Sequence, residues 1–87
     1  MSFYEGFYNI KTIISHSPIH KPNRNNLRFE VAWEGYDDPI HNTTEYWSVN
    51  KSLHTNIVVL QYMLNNDKLK RFVPKNIDID NLHITTH

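Results

Sequence analysis

The chain has 87 residues, nine Lys plus Arg against nine Asp plus Glu, six histidines, two glycines and no cysteine. That length suits one domain with a modest core, and the missing thiols exclude disulfides and thiolate metal sites, so packing alone has to hold the fold. Zero net charge argues against nucleic-acid binding by bulk charge, which works by counterion release to surplus cations.

No apolar run reaches the length of a membrane span, and the N-terminus does not read as a signal peptide. Residues 1–7 carry Phe3, Tyr4 and Phe7 without a buriable pattern and read as an arm, either a frayed end or one that orders on a partner. Tyr8 to Ile14 predicts a first strand in which Tyr8, Ile10, Thr12 and Ile14 share a face. Residues 15–26, with Pro18, Pro22 and several asparagines, predict a long hairpin loop.

Leu27 to Trp33 is the strongest signal. Leu27, Phe29, Val31 and Trp33 alternate with Arg28, Glu30 and Ala32, the period of a strand with one buried face. Gly35 breaks the strand, Tyr36 follows, and Asp37-Asp38-Pro39 forms a turn. Glu45 to Val49 predicts a short third strand with Trp47 as a core ring. Three strands need a lid, supplied by Thr55 to Asn65, where Ile57, Leu60 and Leu64 recur at helical spacing and Thr55 or Asn56 caps the start. A further turn over residues 68–73 adds Leu69, Phe72 and Val73 before Pro74 stops it. The domain therefore reads as residues 8–73, with a tail from 74 to 87. The fold class is α+β: a three-stranded antiparallel curved sheet packed against a C-terminal helix.

This order, together with Tyr8-Asn9-Ile10-Lys11-Thr12-Ile13-Ile14, Val31-Ala32-Trp33-Glu34-Gly35-Tyr36, Trp47, Leu53 and Leu60-Gln61-Tyr62-Met63-Leu64, resembles the chromodomain. Leu69-Lys70-Arg71-Phe72-Val73-Pro74-Lys75 after the helix is similar to the end of the chromodomain that closes gypsy-type LTR-retrotransposon integrases. The resemblance implies a nuclear, non-catalytic reader of a methylated lysine in a histone tail, expected to be histone H3, with no cofactor. By position it implies a cage of Tyr8, Trp33 and Tyr36. Glu45, Phe7, Ser52 and His54 stand as further cage or peptide contacts, with the peptide added as a strand between the arm and residues 49–54. Alanine at any cage position is then expected to abolish binding and leave the fold intact.

Taken singly, Trp33 and Tyr8 fit packing as well as a cage; three rings at matching positions favour the cage. Trp47-Ser48-Val49 in place of Trp-Glu-Pro, and extra residues 41–45, depart from the family pattern. An interaction or dimerisation module that binds no methyl-lysine stands beside this reading, a homodimer through the C-terminal helix using Val58, Tyr62 and Met63. His16 and His20 have helical ligand spacing but sit in a Pro-broken loop, so no metal is expected, and no catalytic motif is recognisable. Lys68, Lys70, Arg71 and Lys75 cluster after the helix, either as a solvated face or as a weak nucleic-acid contact.

Overall fold

The alternation of residues 27–33 becomes the middle strand of an antiparallel sheet. The computed structural model describes residues 9–77, with β1 (Ile10–Ser17), β2 (Arg28–Trp33), β3 (Thr43–Tyr46) and α1 (Ile57–Leu64). Short 3-10 turns occupy Pro39–His41, Lys51–Thr55 and Lys70–Phe72, and the strand order is β1-β2-β3. No helix among the described residues is long and apolar enough to cross a membrane.

The inward face of β2 is as its pattern predicts. Leu27, Phe29 and Val31 are fully buried and Trp33 is 6% exposed. Phe29 lies at the centre, with Trp47 and Tyr62 edge-on at 6.3 and 6.0 Å. Val59, Leu60 and Met63 of α1 close over this face, and Leu69 and Phe72 complete the cluster. Each such side chain removed from water contributes about 1.5–3 kcal/mol.

β1 departs from its prediction. It runs on to Ser17, and its buried positions are Ile10, Ile13 and His16, every third residue. The pairing with β2 shifts between Ile10 and Thr12 and again between Ile13 and Ser15. Each extra residue turns the side chains that follow to the other face, so Ile13 is buried while Ile14 is 48% exposed. β3 lies earlier than predicted and ends at Tyr46. Val49 and Asn50 donate their backbone N–H groups to the Tyr46 carbonyl, so the chain turns there and leaves Val49 outside at 74% exposure. Trp47 is buried without being in a strand.

The helix begins two residues later than the spacing predicts, because residues 51–55 wind as 3-10. Asn56 is its cap, with Oδ1 accepting from the Val58 and Val59 N–H groups at 2.9 and 3.2 Å. On α1, Met63 is wholly buried, Tyr62 is half-buried and bonded to His16 of the sheet, and Val58 is half-buried. Of the tail, Ile77 packs partly against the core; the arm and residues 78–87 lie outside the described residues.

One polar bond ties the lid to the sheet. His16, 8% exposed, places Nδ1 2.7 Å from the Tyr62 hydroxyl, with the rings edge to face. Burial holds His16 below the ordinary histidine pKa of 6.5 and pushes Tyr62 above that of tyrosine. A base whose folded pKa is depressed adds stability that is present above 6.5 and is lost as pH falls through the folded value. The thermal midpoint should therefore drop between about pH 7 and about pH 5, and His16→Gln, which keeps a polar group facing Tyr62 but does not titrate there, should flatten that drop. An equally steep decline in the variant would assign the acid sensitivity elsewhere.

Candidate functional site

The end of β2 builds the site. After Trp33 the chain reverses: the Tyr36 N–H donates to the Trp33 carbonyl at 3.1 Å, and the Glu34 N–H to the Asn9 carbonyl at 2.9 Å. Gly35 sits at φ +86, a left-handed conformation that costs a side-chain-bearing residue strain, although a Cβ there would meet nothing within 4 Å. Trp33 and Tyr36 thus leave the backbone on the two sides of one tight turn. Tyr36 is half-buried, packs on the core cluster and meets His41 edge-on at 5.2 Å.

A polar relay runs away from Trp33. Its indole N–H donates to Thr43 Oγ1 at 2.8 Å, and that hydroxyl donates to Glu45 Oε2 at 2.8 Å. The second carboxylate oxygen accepts from Asn50 Nδ2 at 3.0 Å. Asn50 Oδ1 in turn accepts from the Ser52 N–H and hydroxyl, at 3.1 and 2.6 Å. Thr43 and Glu45 are two apart on β3 and so share a face, which is why one strand delivers both.

Of the residues the sequence marks, the fold joins Trp33, Tyr36 and Glu45, and reaches Ser52 through Asn50. His54 is engaged elsewhere: its ring stacks on Trp47 at 3.8 Å, and its Nε2 lies 2.8 Å from the Trp47 carbonyl. Phe7 and Tyr8 lie outside the described residues. Thr43 and Asn50 were not anticipated. Asn50 had a signal, since Asn two residues before Ser, at the start of a turn, is a cap pattern; Thr43 had only its spacing from Glu45. Among the described residues no group of three His, Cys, Asp or Glu is placed to hold a metal, and His16 is spent on Tyr62.

The surroundings are acidic. Glu34, Asp37 and Asp38 are exposed around the turn and Glu45 stands behind it, with Lys11 paired to Asp37 at 3.2 Å. Aromatic rings beside carboxylates make a place for a cation: the ring faces attract it and the local field raises its concentration. Trp33, however, belongs to the core, so Trp33→Ala should cost stability on the scale of other buried aromatic truncations, about 3–5 kcal/mol, instead of leaving the fold intact. No protein-family model matches the chain, and neither a curated protein nor a solved structure matches it.

Thr43 is the link that can be tested cleanly. Thr43→Val removes the hydroxyl between indole and carboxylate and should cost about 1–2 kcal/mol in denaturant unfolding. Thr43→Ser should restore most of it, and Thr44→Val on the exposed face should stay within about 0.5 kcal/mol. Equal effects at the two positions would show that the relay is not what holds the Trp33 ring.

Proposed function

We propose that this domain is a non-catalytic chromatin reader. It takes a methylated lysine of a histone tail, that of histone H3 in the first instance, into an aromatic cage, and so tethers a larger protein such as a retrotransposon integrase to marked chromatin in the nucleus. The observation that carries this reading is the joint presentation of Trp33 and Tyr36 by one turn, with the Glu45 carboxylate reached from the indole through a single hydroxyl. The sheet-and-helix architecture supports it too, being the one the chromodomain resemblance implies. In this reading Tyr8 is the third ring, and residues 49–54 are one lip of the strand-addition groove.

The energetics follow from the chemistry. A trimethylated ammonium has no N–H to lose from water, and each ring face adds about 0.5–1 kcal/mol when exposed and about 2 or more once water is excluded. An unmethylated ammonium gives up far more hydration on entry, and this sets the selectivity. Trp33 is only 6% exposed, so admitting the ammonium to its ring costs an opening of the site. That cost keeps the affinity of a short peptide near micromolar, about −8 kcal/mol.

The same burial is what favours the rival reading, an interaction or dimerisation module in which the rings are packing. Calorimetric titration of a trimethylated against an unmodified histone H3 peptide separates the two. The reader should bind the trimethylated form at least about tenfold more tightly, a difference of about 1.4 kcal/mol, and Tyr36→Ala should lose that preference while its circular dichroism stays native. Equal binding of both peptides, or an unchanged preference in Tyr36→Ala, refutes the cage; a sedimenting dimer without methyl selectivity supports the rival.

A further inference from the structure

Among the described residues the exposed charges are unevenly placed along β2. At the Trp33 end of β2 the exposed charges are chiefly Glu34, Asp37 and Asp38. At the other end of the strand, where Ser17 pairs with Arg28, the β1–β2 loop meets the Lys70–Phe72 turn. Two anchors hold them together. Arg71 Nη2 donates to the Pro22 carbonyl at 3.0 Å, and the guanidinium groups of Arg71 and Arg24 lie 4.7 and 5.8 Å from the centre of the Phe72 ring.

The result is a basic face drawn from both ends of the sequence. Lys21 and Arg24 come from the loop; Lys68, Lys70, Arg71 and Lys75 follow the helix, and all six are exposed. Two open hollows flank Arg71. One, of about 540 Å³, is lined by Asn23, Arg24, Asn25, Arg71, Phe72 and Lys75. The other, of about 300 Å³, is lined by Lys21, Pro22, Asp67, Lys68 and Arg71. Among the described residues Asp67 is the acid lining these hollows, paired with Lys70 at 3.5 Å. Cations gathered this closely repel one another, and a polyanion relieves that cost.

We infer that this face binds the phosphate backbone of duplex DNA. Guanidinium groups match phosphate oxygens with their planar donor forks, and Arg71, already held by Pro22 and Phe72, loses little freedom on making such a contact. The duplex is favoured over a single strand because single-strand binders offer exposed rings on which bases stack, whereas Phe72, the ring lining the larger of these two hollows, is 6% exposed beneath the guanidinium groups. The inference is independent of the methyl-lysine reading, since it concerns the opposite end of β2, about 20 Å away along the strand.

Fluorescence anisotropy of the whole chain with a labelled mixed-sequence duplex tests it. About four phosphate contacts give a log–log salt slope near −3.6, so affinity should fall on the order of a hundredfold between about 50 and about 200 mM salt. Arg24→Glu/Lys75→Glu and, on the other hollow, Lys21→Glu/Lys68→Glu should each weaken binding at least about tenfold at the lower salt, whereas Lys11→Glu/Lys51→Glu, with the same change in net charge outside the hollows, should not. Melting curves confirm that each variant is folded. The inference is overturned by no binding, by salt-independent binding, by equal losses in the control pair, by tighter binding of a single-stranded RNA of the same length, or by polyglutamate competing as well as unlabelled duplex.

Discussion

Everything in this domain depends on burying one face of β2. Leu27, Phe29, Val31 and Trp33 occupy the inner face of a strand paired on both sides, and an isolated three-stranded sheet has no means of covering such a face. The lid helix, Trp47 and the Leu69–Phe72 turn are the cover. Their positions follow from Phe29, whose ring is met edge-on by both Trp47 and Tyr62. Trp33 is the point where this requirement meets the site. Its ring closes the end of the core, while its N–H, pointed at Thr43, ties the core to the Thr43–Glu45–Asn50 relay.

How much of this was legible in the sequence depended on whether a period survived folding. β2 kept its alternation, so its inner face could be read residue by residue. Asn56 could be read because a cap is a local event. β1 could not, because two register shifts convert a two-residue period into a three-residue one and exchange Ile14 for Ile13. Trp47 marked its own burial correctly, but its apolar neighbour Val49 made a turn look like a strand. In the site, Trp33, Tyr36 and Glu45 were visible as residue types at suggestive positions. Thr43 and Asn50 were not, because a hydrogen-bond relay through an irregular segment has no periodic signature. The basic face was half visible: Lys68 to Lys75 cluster in sequence, but only the Arg71–Pro22 contact brings Lys21 and Arg24 to them.

Zero net charge hides an uneven layout among the described residues. Among the described residues, Glu34, Asp37 and Asp38 lie at the Trp33 end of β2, while Lys21, Arg24, Lys68, Lys70, Arg71 and Lys75 gather at the other end, a layout whose local fields differ in sign. The two readings stand on different residues and are separately testable.

The central claim is that the Trp33–Tyr36 turn receives a methylated ammonium, and the two tryptophans of the chain allow it to be followed directly. Each contributes one indole N–H signal to a ¹H–¹⁵N correlation spectrum, assigned with Trp47→Phe, during titration with a trimethyl-lysine peptide. The account predicts a saturating shift of the Trp33 indole signal while that of Trp47, stacked on His54 in the interior, stays in place. A stationary Trp33 signal at saturating peptide, or equal movement of both, would contradict it.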